Sequence, residues 1–481
     1  MRDGATAEGT KPLVSVVMAN FRSAEYLPAA LDSVLAQTVR NLEVIVSDDA
    51  SPDDSIEIVR QYTARDPRVR LIAAEENKGP AAARNRGIDA ARGEWIAIVD
   101  SDDIVHPERL EILIAAAEGL EADGVADDLL FFSNYSAGPT LLGDAAVPEP
   151  LLITPSYFIR SNTSGNGLPP LGYVKPLFRR AKLAGLSYDE DVRIGEDYDF
   201  LLRFLLSGAR FHILPDPLYL YRRHSQSISH RLSESTVLAM ITNQQRLVAT
   251  HGTFSPEMEN LLEKRVAALR SSLSFERLVL SLKERRAGKA FGLLAANPGL
   301  LRPLTRAVKE NLQSCFQKKP VTERAQRVIA LYDENRLPQD VAAIHSALGV
   351  DENIELVPAP PYEQPATRGT PNAQQRTGHL NLAARAMEWD LEVVCHGLAG
   401  LHAAGYLPRK RIVATVVQER EELARILDRP DTGGNRIVVA AAALEAASTF
   451  QAQPFCPGYL LVEPTNGRTP PVGVTRAAEG T

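Results

Sequence analysis

The chain has 481 residues with a formal net charge of −7, and 44% of its residues are hydrophobic. This length predicts two or three domains, and the apolar fraction excludes a mostly disordered chain. The acidic balance argues against a nucleic-acid binder, and three widely spaced cysteines form neither a disulfide framework nor a zinc site.

Residues 13–100 alternate between strand and helix periodicity. Short apolar runs predict strands at Leu13–Met18, Leu42–Val46, Val69–Ala73 and Trp95–Val99. Helical spacing of apolar residues predicts helices at Leu27–Leu35, Pro52–Val59 and Pro80–Ala91. This alternation predicts an α/β fold, a mainly parallel sheet with helices on both faces. Ligands of such sheets bind at the carboxyl ends of the strands.

Beyond residue 100 the pattern is less regular. Residues 107–122 predict an amphipathic helix, residues 127–132 a strand and residues 197–206 a helix. We therefore expect the α/β domain to span residues 12–232, after a disordered tail at residues 1–11.

The rest of the chain divides into three segments. Residues 233–320 predict a basic helical extension, residues 321–466 a mostly helical region of unknown function, and residues 467–481 a disordered tail. Residues 261–324 contain fourteen Lys and Arg against five Asp and Glu. A solvated helical face explains this excess, and so does peripheral contact with an anionic membrane. We expect no secretory signal and no membrane span, and hence a cytoplasmic protein, free or on the inner membrane face.

Carboxylates follow two of the predicted strands. Asp48 and Asp49 come after the second strand, and Asp100 and Asp102 come after the fourth. Since the carboxyl ends of parallel strands share one edge, we expect these side chains to lie close together. Carboxylate oxygens are the preferred ligands of Mg²⁺ and Mn²⁺, and such an ion can hold a diphosphate.

Each carboxylate also has a purely structural explanation. Asp49 can cap a helix or shape a turn, and Asp102 lies in an acidic turn before a helix. Further along the chain, Glu196 and Asp197 open the helix at residues 197–206, where acidic residues stabilise the helix dipole. Asp197 can do this and still act as a base.

Five motifs in this order resemble the family-2 glycosyltransferases, which are inverting enzymes of the Rossmann-like GT-A fold that use nucleotide sugars. The resemblance covers about residues 12–230. The motifs are Val14–Asn20, Asp48–Ser51, Ala83–Gly87, Asp100–Asp102 and Gly195–Asp197. Three segments are also similar to enzymes that build bacterial exopolysaccharides such as succinoglycan: Tyr173–Arg180, Gly195–Phe200 and Leu218–His224.

The resemblance implies a donor site. It places Asp49 at the N3–H of a uracil ring and the backbone of Ala19 beside the base. It makes Asp102 the ligand of Mn²⁺ or Mg²⁺. Asp100 and Ser101 then bind the nucleotide sugar, with Asp100 at the ribose or a metal-bound water.

The resemblance also implies the catalytic groups. Asp197 is the general base, and Glu196 orients it or binds acceptor hydroxyls. Arg84 binds phosphate oxygens of the donor or braces Asp100. His224 reaches the metal or the diphosphate, although a lone histidine is equally a structural residue.

The predicted activity is transfer of one hexose from a UDP-sugar, with UDP-glucose as the expected donor. The expected acceptor is an oligosaccharide on a polyprenyl diphosphate lipid, and Asp127 and Asp128 are candidates for lining its pocket. Two alternatives stay open. A sugar-nucleotide nucleotidyltransferase would need a glycine-rich loop after the first strand, which Ala19–Ala24 lacks. A non-catalytic scaffold would be expected to lack some of these carboxylates.

Overall fold

The structure is a computed structural model, and most of its described residues lie in the first 302 positions. It describes residues 11–133, 136–143, 149–192, 194–223, 233–302, 304–305, 328–333, 347, 354–359, 392–396, 412–417, 436–440, 452–456 and 459–462.

The first part of the chain alternates strands and helices, as predicted. The elements are β1 (Val14–Asn20), α1 (Leu27–Leu35), β2 (Leu42–Asp48), α2 (Ser55–Arg65), β3 (Val69–Ala73), α3 (Pro80–Asp89) and β4 (Trp95–Ile98). β1 pairs in parallel with β2 and β4, and β2 pairs in parallel with β3. Nearly every residue of β1 and β2 is buried, which explains why these strands are continuous apolar runs.

The strand order β3-β2-β1-β4 reverses direction at β1. The connections through α1 and α2 move along the sheet in one direction, and the connection through α3 returns past β1. Because such crossovers are right-handed, α1 and α2 cover one face of the sheet and α3 covers the other. The carboxyl ends of β1 and β4 flank this reversal, which is where open α/β sheets bind ligands.

Later strands extend the same sheet and make it mixed. The elements are β5 (Ile104–Val105), α4 (Arg109–Gly119), β6 (Gly124–Ser133), β7 (Ser136–Thr140), β8 (Leu151–Ile153), α5 (Pro155–Ser161), β9 (Leu177–Arg179), α6 (Glu196–Leu206) and β10 (Phe211–Arg223). The sheet continues β4-β9-β6-β10-β5, with β7 beside β6 and β8 beside β10. β9 is antiparallel to both β4 and β6. The predicted α/β fold is confirmed, and its parallel pairing holds for the first four strands and for β6 with β10.

Aromatic side chains fill the core where β9, α6 and β10 meet. Phe178 packs edge-on against Phe204 at a centroid distance of 4.8 Å, and Phe211 lies beside both. A Cβ at Gly124 would come within 2.9 Å of the Phe211 ring. Only glycine therefore lets β6 approach this aromatic group.

A helical extension follows the sheet. It consists of α7 (Glu234–Thr250), α8 (Pro256–Lys283) and α9 (Ala287–Ala296). The prediction of helices is confirmed for the described residues of this segment. Lys283, Arg285, Arg286 and Lys289 are exposed where α8 ends and α9 begins. Among the helices that the structure describes, none is both long and apolar enough to cross a membrane.

The described residues after position 321 form a second sheet. Its strands are β11 (Val328–Asp333), β12 (Ile354–Ala359), β13 (Glu392–His396), β14 (Ile412–Val417), β15 (Arg436–Ala440), β16 (Ala452–Cys456) and β17 (Tyr459–Val462). They pair in the order β12-β11-β13-β14-β15-β17-β16. The prediction that residues 321–466 are mostly helical is wrong for this described part. β-branched runs form some of these strands, such as β14 and β15, and the alanine- and leucine-rich average composition concealed them.

Candidate active site

The loops after β1, β2 and β4 are tied together at one edge of the sheet. Asn20 Nδ2 donates to Asp48 Oδ2 at 2.6 Å, which links the ends of β1 and β2. Ser101 Oγ donates to Ser23 Oγ at 3.0 Å, which links the loops after β4 and β1. Ala19 precedes Asn20 on β1 and is partly exposed at this edge. The three predicted strand ends therefore meet at the reversal point of the sheet.

Asp48 shapes the turn after β2. Its Oδ1 accepts the backbone N–H of Ser51 at 2.8 Å. Ala50, inside this turn, has a φ of 60°, a left-handed conformation that is uncommon for a residue other than glycine. The Asp48 side chain therefore bonds within this loop, whereas the Asp49 side chain points towards α3.

Asp49 anchors the start of α3. Its Oδ2 accepts the N–H groups of Lys78 and Gly79 at 3.0 and 2.7 Å, and its Oδ1 pairs with Arg86 at 2.8 Å. A carboxylate has about four lone-pair positions, so about one is left for a ligand. Asp49 is 2% exposed and held rigidly, which suits recognition of a single ring N–H.

Arg84 joins the end of β4 to the start of α6. Its Nη2 is 3.2 Å from Asp100 Oδ1, and its Nη1 is 2.8 Å from Glu196 Oε1 and 3.2 Å from Asp197 Oδ1. Burial disfavours its charge, but these three carboxylates outweigh burial and raise the pKa of Arg84 well above its usual value. Arg84 was predicted to bind donor phosphate oxygens or to hold Asp100 in place, and the structure contains its contact with Asp100.

Lys175 makes a second link between the same two elements. It lies just before β9, and its Nζ is 2.7 Å from Asp100 Oδ2 and 3.5 Å from Asp197 Oδ2. Burial opposes ionisation of Asp100, yet Lys175 and Arg84 lower its pKa to about 2. Asp100 therefore stays ionised at any physiological pH.

The carboxylates of Asp100, Asp102 and Asp103 form an oxygen-rich cluster. One oxygen of each lies within 4.8 Å of the others. Burial raises the pKa of Asp103 well above its usual value, and the charges of Asp102 and Asp100 raise it further. A cation would relieve this excess of negative charge, and carboxylate oxygens are what Mg²⁺ and Mn²⁺ bind. The residues present therefore fit a divalent metal ion.

Within that cluster, Asp103 is held from inside the protein. Tyr219 Oη donates to its Oδ2, and the backbone N–H of Arg222 donates to its Oδ1, each at 2.7 Å. Tyr219 Oη also accepts the N–H of Asp100 at 3.1 Å. Asp103 is 1% exposed. It supports the loop, which leaves Asp102 and Asp100 as the accessible carboxylates.

The first turn of α6 supplies the remaining acidic groups. Gly195 begins it with a φ of 82°, in the left-handed region that glycine tolerates best. Burial and the charge of Asp197 raise the pKa of Glu196, and Arg84 partly offsets this. The Asp197 side chain is 25% exposed, against 11% for Glu196. Asp197 is thus the carboxylate of this pair that a ligand can reach.

Asp127 and Asp128 do not line a pocket, contrary to the expectation from the sequence. Asp127 makes a two-armed ion pair with Arg109, in which both side chains are 1% exposed. Asp128 accepts backbone N–H groups of Leu129 and Leu142. Their position inside β6 puts both carboxylates in the interior of the protein.

The structure thus brings together carboxylates predicted from distant motifs, namely Asp100, Asp102, Glu196 and Asp197. The Ser101 side chain instead bonds Ser23, and His224 lies outside the described residues. Sequence reasoning missed Lys175 as a site residue. Its only signal was its place in the Tyr173–Arg180 segment.

The buried side chains of Arg84 and Lys175 connect the aspartate cluster after β4 to the accessible carboxylate of Asp197. The cluster can hold a metal-bound diphosphate, and Asp197 can accept a proton from a hydroxyl that approaches beside it.

The sequence profile of Glycosyl transferase family 2 matches residues 15–166. The succinoglycan biosynthesis protein ExoO of Rhizobium meliloti (strain 1021) is 34% identical over 347 residues, covering 71% of this chain and 97% of that protein. The succinoglycan biosynthesis protein ExoU of the same organism is 33% identical, covering 60% of this chain and 84% of that protein.

Solved structures are similar at lower identity. Residues 1–349 of S. aureus TarS in complex with UDP-GlcNAc share 22% identity at a TM-score of 0.45, covering 58% of this chain and 79% of that chain. The mannosyltransferase PcManGT from Pyrobaculum calidifontis in complex with GDP-Man and Mn²⁺ shares 18% identity at a TM-score of 0.40, covering 64% of this chain and 83% of that chain.

Proposed function

Since the chain belongs to glycosyl transferase family 2, we propose that it is an inverting, metal-dependent hexosyltransferase of exopolysaccharide biosynthesis. It moves one hexose from a UDP-sugar, with UDP-glucose as the first candidate, to a glycan acceptor. One observation carries the proposal: Arg84 contacts both Asp100, at the metal-binding edge, and Asp197, the reachable carboxylate of α6. Donor and acceptor chemistry would then take place within one cleft.

The uridine would lie between the ends of β1 and β2. Asp49 retains about one free lone-pair position, which suits the single N3–H donor of uracil. Ala19 offers only backbone groups to the base. Ser101 would contact the nucleotide sugar mainly through its backbone, since its hydroxyl already bonds Ser23.

The divalent ion, Mn²⁺ or Mg²⁺, would be held by Asp102, with Asp100 beside it at the ribose or a metal-bound water. When bound, the ion supplies positive charge to the departing nucleoside diphosphate. Arg222 fixes this loop, because its Nε donates to the carbonyl of Asp102 at 2.8 Å. His224, in the next segment of chain, is a further candidate ligand.

Asp197 would act as the general base. Its carboxylate accepts the proton of the acceptor hydroxyl as the hydroxyl oxygen attacks the anomeric carbon from the face opposite the diphosphate. This single displacement inverts the anomeric configuration and needs no covalent intermediate. Glu196, bonded to Arg84 at 2.8 Å, would orient the base or bind acceptor hydroxyls.

The acceptor would be an oligosaccharide on a polyprenyl diphosphate, met at the cytoplasmic face of the membrane. The exposed basic residues where α8 ends and α9 begins support this, because basic side chains favour an anionic lipid surface. Sedimentation with anionic vesicles at low salt, and release at high salt, would support membrane contact. Equal binding to neutral vesicles would argue against it.

The function is tested by UDP release from a panel of UDP-sugars, with and without Mn²⁺, in the presence of membrane lipid extracts. We expect one donor to be used, activity to be lost with chelator, and NMR of the product to show an inverted anomeric centre. No UDP release from any donor under any metal condition would overturn the proposal and favour a scaffold role.

A further inference from the structure

Lys175 lies between the two halves of the site, although no sequence motif assigns it a role. Its ammonium group contacts Asp100 at 2.7 Å and Asp197 at 3.5 Å, and its side chain is 5% exposed. Asp100 follows β4 and Asp197 lies in the first turn of α6. The same ammonium group therefore connects carboxylates that come from separate elements.

The backbone of Lys175 is fixed from the interior. Arg109 donates to the Lys175 carbonyl, and Arg109 itself is locked by its fully buried ion pair with Asp127. The ring of Tyr221 lies 5.7 Å from the ammonium group and covers it. With its backbone held and its side chain enclosed, Lys175 has little freedom to follow either carboxylate.

Charge explains why a lysine is useful here. Asp100 and Asp197 would repel each other in a partly buried site, and a cation between them removes that repulsion. Arg84 contributes a second positive charge, but it also has to pair with Glu196. Among the residues that the structure describes, the carboxylates in ion pairs with Lys175 are those of Asp100 and Asp197.

We propose that Lys175 is a positioning residue that sets the spacing between Asp100 and Asp197, and that its positive charge weakens binding of the divalent ion beside Asp100. The inference rests on the proposed function. Two effects of opposite sign follow when the charge is removed. Turnover falls, because Asp197 loses its alignment. Affinity for Mn²⁺ rises, because one positive charge leaves the surroundings of the ion.

The test compares the full chain with Lys175→Met, Lys175→Arg and the control Lys182→Met. Lys182 controls for the loss of one lysine charge outside the site, because it is exposed, follows β9 and pairs with Asp123. Titration calorimetry without nucleotide should show Mn²⁺ binding about tenfold tighter to Lys175→Met. Lys175→Arg and Lys182→Met should bind Mn²⁺ as the unmodified chain does.

Kinetics supply the second readout. For Lys175→Met we expect kcat to fall about 100-fold while KM for the donor changes by less than about threefold. Lys175→Arg should recover part of kcat, since it keeps the charge but not the shape. Lys175→Gln is also neutral and carries the same expectations if the methionine variant does not fold.

Weaker or unchanged Mn²⁺ binding in the folded neutral variants would overturn the proposal, since the proposal requires that removal of the Lys175 charge tightens Mn²⁺ binding. Failure of the proposed function would look different. In that case the unmodified chain would release no UDP, while the Mn²⁺ comparison would still report on Lys175.

Discussion

Arg84 Nη1 on α3 lies 3.2 Å from Asp197 Oδ1 on α6, and the same guanidinium reaches Asp100 after β4. A residue expected at the donor thereby contacts the residue expected to act as base. Arg84 therefore links the donor side of the site to the base. A substitution of one carboxylate should leave nucleotide binding intact only if the new side chain keeps the same shape.

Replacement of Asp197 by Asn tests the base. The amide keeps the shape of the side chain but cannot take a proton, so kcat should fall about 10²- to 10⁴-fold while UDP binding stays intact. Asp199→Asn is the control, because Asp199 lies in the same turn and pairs with Arg203 at 2.6 Å. Full activity of Asp197→Asn with normal UDP affinity would assign the base elsewhere.

Replacement of Asp49 by Ala tests uracil recognition. Loss of a charged hydrogen-bond acceptor should weaken UDP binding about 10- to 100-fold and erase any preference for UDP over GDP. Affinities for both nucleotides, measured by calorimetry in Mn²⁺, give the ratio. The effect is read from the ratio because the start of α3 also depends on Asp49. An unchanged UDP-to-GDP ratio would remove Asp49 from the base site.

The Arg109–Asp127 pair should matter for stability. Arg109→Met or Asp127→Leu alone leaves one charge buried without its partner, so each should lower the free energy of unfolding by about 3–5 kcal/mol. The double variant leaves no buried charge and should be less destabilised than the sum of the two. Urea denaturation gives the three values. Single-variant losses below about 1 kcal/mol would contradict this assignment.

Asp128 should make stability depend on pH. Burial raises its pKa to about 6, although the N–H groups of Leu142 and Leu129 partly oppose this. Between pH 4 and 6 the folded state keeps a proton that the unfolded state has lost. Stability should therefore fall as pH rises through this window, by up to about 3 kcal/mol from this group. Urea denaturation across the window should show a smaller fall for Asp128→Asn, and identical curves would refute the shift.

The sequence predicted the parts of the site that lie at strand ends. Strand and helix periodicity placed Asp49 after β2 and Asp100 after β4, and parallel topology then required those ends to share an edge. Lys175 could not be found this way. It reaches Asp100 only because β9 pairs antiparallel with β4, a long-range contact that leaves no local periodicity.

The errors have physical causes too. Asp127 was expected at a pocket, but Arg109 comes from α4 to pair with it inside the core, and a carboxylate is rarely fully buried unless it is paired in this way. The strands after residue 321 were missed because composition was averaged over long segments. The run Ile412–Val417 is β-branched and forms β14 despite its alanine-rich surroundings.

The most direct measurement is an experimental structure of the complex with UDP and Mn²⁺. The account predicts uracil at Asp49, the ion at Asp102, and Asp197 facing the open side of the diphosphate. The account would be contradicted if the nucleotide bound elsewhere, or if Asp102 and Asp197 opened onto separate surfaces with no ligand between them.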